Sequence, residues 1–172
     1  MTIKRIILSF IILISSLSAI AGGIGTWKSY LSYANIQWVE QGSNRLYVLA
    51  SNALYTYNKA DQSIQTYDKQ NGLSSIDIRF IGWNEVAKRL VIVYEDNNIY
   101  LMDAKGNVTN VPDYYLKALT ADKTVYGIDM NGAYCYLSTG FGLVKLNVAK
   151  AEISDSYNLS FPVNYSYMDG SY

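Results

Sequence analysis

Short apolar runs alternate with short polar breaks along most of the chain. The first set is Ile36–Glu40 (IQWVE), Arg45–Ala50 (RLYVLA), Leu54–Asn58 and Ser63–Tyr67. Between them lie Gln41-Gly42-Ser43-Asn44 and Lys59-Ala60-Asp61-Gln62, which carry the residues that favour turns. Runs of this length between such breaks predict β-strands. In RLYVLA both alternating faces are apolar: Leu46, Val48 and Ala50 on one, Tyr47 and Leu49 on the other. That pattern predicts a strand covered on both sides.

The pattern recurs. The strand starts align at Leu46, Leu90 and Tyr134, 44 residues apart each time (46 to 90 to 134). A second alignment runs through Leu54, Ile99 and Leu143, at steps of 45 and 44. A second set follows the linker Asp68–Ser75: Asp77–Asn84, Lys88–Tyr94, Ile99–Asp103 and Asn107–Val111, ended by Pro112. A third set is Thr124–Met130, Ala133–Ser138, Leu143–Val148 and Glu152–Tyr157, with Thr139-Gly140-Phe141-Gly142 joining the middle pair. A period near 40–45 residues with several short strands in each copy marks a β-propeller blade. The expected fold is all-β: a propeller fragment of about three four-stranded blades, approximately 36–67, 77–111 and 124–157. Val163–Met168 and the turn Asp169-Gly170 would open a fourth copy, with its first strand beginning at 163. Propellers close with 4–8 blades. Three blades and one strand leave the outer faces of the first and third without a neighbour, so large apolar patches are expected there. The expectation is therefore an N-terminal piece of a longer protein. A truncated gene and a ring closed by association are the alternatives.

Residues 1–21 read as a signal peptide, and 22–172 as the partial propeller. Lys4 and Arg5 precede the apolar run Ile6–Leu17, and Ala19-Ile20-Ala21 supplies the small-x-small cleavage pattern, with the cut after Ala21. A membrane anchor is the competing reading. Ile6 to Ala21 covers 16 residues, short of the roughly 20 that span a bilayer. No cysteine sits at the cut, as a bacterial lipoprotein would require. Ile24–Tyr33 (IGTWKSYLSY) is a candidate N-terminal strand that completes the last blade.

Composition narrows the chemistry. Of 172 residues, 50% are hydrophobic and 16% charged, which suits a packed fold. Basic and acidic residues number 14 each; removing Lys4 and Arg5 leaves 12 against 14, a net of −2. That balance argues against nucleic acid as a partner. There is no histidine, so Ser-His-Asp and Cys-His arrangements are absent. The single cysteine, Cys135, reads as a small buried side chain, with a reactive thiol as the lesser reading. One cysteine excludes structural zinc. Asp61, Asp68, Glu95, Asp96, Asp103 and Asp169 fall in turns, where solvated acids are the plain reading. A hydrolase pair would need two of them held about 5–9.5 Å apart in a cleft. Asp96-Asn97-Asn98 offers oxygen ligands of the kind calcium takes, but the EF-hand spacing is missing. Gly140-x-Gly142 lacks the third glycine and the helix of a dinucleotide loop. No catalytic, metal or cofactor residue is assigned. Tyrosine is the enriched type, at 17 against 4 Phe and 3 Trp. Its ring can stack on sugars while its hydroxyl stays polar. Tyr114 and Tyr115, in the linker before the third blade, are the candidates for exposed ligand-binding rings; packing between blades is the competing role for most tyrosines.

Three segments together carry a family resemblance. Gly25, Trp27, Lys28, Tyr30, Leu31 and Tyr33 fit a G-x-W-[KR]-x-Y-L-x-Y segment behind a signal peptide. Asn71–Ser75 supplies an NGLSS linker, and Tyr136–Asn147 a YLSTGFG-[IL]-V-x-L-[ND] strand pair. The chain resembles the PorZ N-terminal β-propeller family of the type IX secretion system, within the wider propeller repeats of two-component regulators. The resemblance covers residues 24–172. It implies a non-catalytic surface protein in an attachment complex with the sortase PorU, the carrier PorV and PorQ. It also implies that the protein binds anionic lipopolysaccharide and supplies it to PorU. No binding residue transfers from the family to a numbered position. Two alternatives stand beside it: an extracellular sensor propeller of a hybrid two-component regulator that binds a saccharide, and a propeller enzyme such as a lyase or glycosidase. The absence of histidine weighs against the enzyme.

Overall fold

The computed structural model describes residues 33–69, 72–73 and 77–167. The signal peptide at 1–21, most of the aromatic N-terminal segment, parts of the NGLSS linker and the turn at 169–170 lie outside the described residues.

Among the described residues, twelve strands form three four-stranded antiparallel sheets. The first sheet is β1 (Ile36–Gln41), β2 (Arg45–Ala50), β3 (Ala53–Asn58) and β4 (Ile64–Tyr67). The second is β5 (Ile78–Asn84), β6 (Arg89–Tyr94), β7 (Ile99–Asp103) and β8 (Val108–Val111). The third is β9 (Val125–Asn131), β10 (Tyr134–Thr139), β11 (Gly142–Asn147) and β12 (Glu152–Asn158). In each, every strand pairs with the next in sequence, which is the up-and-down meander of a propeller blade. The linker before β9 holds one short helix, α1 (Asp113–Leu116), where the sequence reads as plain linker.

The turns explain the meander. Ser51 and Asn52 both take positive φ, at 49° and 61°, which matches the tight turn that reverses a twisted two-strand ribbon. At the Thr139–Gly142 joint, Gly142 has φ 146°. A Cβ there would land on the Tyr157 carbonyl, so β12 can approach β11 only because the residue is glycine.

β6 shows why the sheets stack. Leu90 to Tyr94 are all buried. Leu90, Ile92 and Tyr94 pack with Tyr47, Leu49 and Trp83 between the first two blades. Val91 and Val93 pack with Cys135, Leu137, Val144 and Leu146 between the second and third. An apolar strand without a polar face therefore needs a blade on either side, and it has them. Tyr47 and Trp83 stack at 5.3 Å across the first interface. Asn84, fully buried, crosses the second: its amide donates to the Gly132 carbonyl at 3.0 Å, and its oxygen accepts the Ala87 N–H at 2.8 Å.

The two outer faces differ. On the first blade Ile36, Val39 and Ile64 are exposed, while Tyr33 packs edge-on against Tyr55 at 5.4 Å. On the third, Lys145 sits 4.1 Å over the Tyr134 ring, opposite Asp155, so that face is mixed rather than apolar. Residues 163–167 pair in no ladder, although the sequence reads as a strand there. An inner strand needs the second strand of its own blade as a partner, and none lies among the described residues. Val163 is nevertheless anchored, its N–H donating to the Thr139 carbonyl at 2.9 Å.

Candidate functional site

The first strands of the three blades, β1, β5 and β9, lie next to one another, with β5 in the middle. Together with Asn164–Ser166 they line a cavity of about 680 Å³. That volume is within the range of ligand sites.

A repeated irregularity builds its rim. In β1 the register slips between Ile36 and Trp38, in β5 between Ile78 and Phe80, and in β9 beside Val125 and Gly127. Each slip is a β-bulge, which re-aims a side chain out of the ladder. The residues so displaced are Gln37, Arg79 and Tyr126, and all three line the cavity. Each is held by its own blade. The Gln37 amide oxygen accepts the Asn52 N–H at 2.7 Å. Arg79 pairs with Glu95 at 3.3 Å. The Tyr126 hydroxyl donates to Asp122 at 2.9 Å. The Thr124 hydroxyl and N–H, with the Tyr126 hydroxyl, hold Asp122 below the usual carboxylate range.

Aromatic rings supply the walls. Trp38 is 56% exposed and Tyr165 76% exposed. The Trp38 indole N–H donates to Glu40 at 2.6 Å, and the other Glu40 oxygen accepts the Trp83 backbone N–H at 3.5 Å. Glu40 thus ties β1 to β5 and fixes the indole with its faces free. Asp129 adds a second carboxylate to the lining.

The tyrosines singled out from sequence lie elsewhere. Tyr114 is buried, which corrects the expectation of an exposed ring. It turns inward on α1, and its hydroxyl donates to the Lys123 carbonyl at 2.6 Å. Burial pushes its pKa well above the ordinary tyrosine value. It borders a smaller cavity of about 290 Å³ between α1 and the third blade. Tyr115 is 45% exposed, as expected, but does not line either cavity. Cys135 is fully buried, and burial, with the Asp129 charge second, raises its thiol pKa. Among the described residues no group of three His, Cys, Asp or Glu is placed to hold a metal. Sequence reasoning missed the bulge residues. Their signal is a β-branched residue followed by Gln37, Arg79 or Tyr126 at the start of each copy.

Three stacked meanders whose first strands share one cavity define a β-propeller protein. The family model for the "TSS9, PorZ, N-terminal beta-propeller domain" matches residues 46–172. The chain belongs to this PorZ N-terminal β-propeller family. Among solved structures it is similar to PorZ of Porphyromonas gingivalis, described as an essential bacterial surface component of the type IX secretion system. That match has 32% identity and a TM-score of 0.71, and covers 77% of this chain and 18% of that one. It is also similar to the extracellular domain of a one-component system from B. thetaiotaomicron, at 14% identity and a TM-score of 0.57, covering 78% and 18%. AztD of Citrobacter koseri matches at 15% identity and a TM-score of 0.54, covering 77% and 35%. The last two likenesses show the fold alone. The chain thus spans about a fifth of the PorZ structure's length. No curated protein sequence matches the chain.

Proposed function

We propose that the protein is a non-catalytic, cell-surface binding and scaffold component of a type IX secretion system. In this reading it binds anionic lipopolysaccharide and delivers it to the sortase PorU, in a complex with PorV and PorQ. The observation that carries it is the family match over residues 46–172, joined to 32% identity with a surface component of that system. The apolar segment at 1–21 supports export to the periplasm or outer-membrane surface. Among the described residues no helix is long and apolar enough to cross a membrane. The missing histidine supports a binding role over a catalytic one.

Affinity capture of the full-length protein from outer-membrane extracts tests the reading. Co-recovery of PorU, PorV and PorQ, together with binding of anionic lipopolysaccharide, is the expected result. Recovery of none of them overturns it. The sensor alternative rests on likenesses at 14–15% identity, which carry no function.

A further inference from the structure

We infer that the cavity between β1, β5 and β9 is a saccharide site that takes uncharged sugar rings. This rests on the reading of the protein as a glycan binder and adds the place and the chemistry of recognition.

Three observations carry it. First, two rings are pre-set, the exposed Trp38 and the half-buried Tyr126. Trp38 is pinned through its N–H by Glu40, and Tyr126 through its hydroxyl by Asp122, so ring faces are presented without further ordering. Aromatic faces at this exposure suit the C–H faces of pyranose rings, and their polar ends suit the edges. Second, the same bulge occurs in all three inner strands and delivers a polar or aromatic side chain to one rim. A single bulge is a local feature; three at the same point of successive blades build a rim of hydrogen-bonding groups around one space. Third, the charge is wrong for an anion. Arg79 is the one cation among the described lining residues, and Glu95 already pairs with it. Glu40 and Asp129 add negative charge to the wall. A phosphate or carboxylate entering here would meet like charge, whereas hydroxyl groups can donate to these same acceptors. The charged groups of a lipopolysaccharide therefore bind outside this cavity, and its neutral sugars inside.

The test uses the full-length protein and surface polysaccharide from the same cells, split by anion exchange into neutral and anionic pools. Calorimetric titration is run at about 0.05 M and about 0.5 M salt, where the screening lengths differ severalfold. The neutral pool is expected to bind with little dependence on salt. Trp38→Ala and Tyr165→Ala each weaken that binding by roughly tenfold. Trp38→Phe restores most of it, and Leu116→Ala on α1 changes nothing. Wild-type binding by the two alanine variants overturns the site and leaves the glycan-binding reading standing. Binding of the anionic pool alone, falling steeply with salt, overturns the uncharged-sugar chemistry and leaves the lipopolysaccharide reading standing. Binding of neither pool overturns both.

Discussion

Asn84 is a single side chain that holds two blades together. It donates across the interface to the Gly132 carbonyl and is fully buried, so water cannot replace it. Asn84→Ala leaves buried partners unsatisfied and is expected to cost about 1–3 kcal/mol, read from urea unfolding. Tyr114 makes a second residue-scale prediction, through pH. Burial raises its folded pKa above the ordinary value of 10.0. A folded pKa above the unfolded one means the neutral ring stabilises the fold fully below pH 10. That contribution is lost as pH rises from there towards the folded pKa. Tyr114→Phe should therefore flatten the alkaline fall in stability above pH 10. At pH 7 the same variant loses the bond to Lys123, for about 0.5–1.5 kcal/mol. Thermal unfolding of both proteins across pH 7 to about 11.5 checks the pair of effects. Sequence alone did not separate Tyr114 from Tyr115. Both look like linker residues, and only the short turn of α1 sends one ring inward and the other out.

At the scale of elements, strand cover decides the cost of truncation. Leu90 faces the first blade and Leu101 the third, and both are buried. Leu90→Ala and Leu101→Ala should each cost about 2–5 kcal/mol. Ile64→Ala, on the open face of the first blade, should cost about 0.5 kcal/mol or less. Equal losses at all three positions in urea unfolding would contradict stacking as the source of stability. The apolar alternation of β6 and its 44-residue echo in β2 and β10 made the strands and their repeat readable from the sequence. The bulges were far harder to read, because a β-branched residue before Gln37, Arg79 or Tyr126 is common in any strand and becomes a signal only once the three copies are aligned. The cavity was hidden for a related reason. Gln37, Arg79 and Tyr126 are far apart in sequence and meet only when three blades stack. The repeat also recurs in the clasps between blades. The Asn52 side chain donates to the Ile78 carbonyl at 3.1 Å, and Asn97 accepts the Val125 N–H at 3.1 Å. Thr139 holds Val163 at the corresponding place, so the chain leaving the third blade is fixed where the earlier blades begin.

At the scale of the whole molecule, the described residues set two well-filled interfaces against two outer blade faces. Both interfaces are closed by clusters of buried side chains, and β6 has no polar side to offer solvent. The open face of the first blade shows Ile36, Val39 and Ile64, exposed by 58%, 48% and 66%. Beyond the third blade, Phe161 and Tyr167 are exposed by 57% and 72%. Nearest-neighbour stacking supplies most of the stability of repeat folds, and among the described residues each outer blade has one neighbouring blade. Residues 22–172 produced alone should therefore unfold over a broad range, bind a hydrophobic dye, and associate as concentration rises. Association through the first blade's open face should fall when Ile36, Val39 and Ile64 are replaced by Ser, because the patch is lost while the buried clusters stay intact. Analytical ultracentrifugation alongside calorimetry gives both readouts. A monomeric species with one cooperative transition would show instead that the two filled interfaces suffice, and that the open faces cost the fold little.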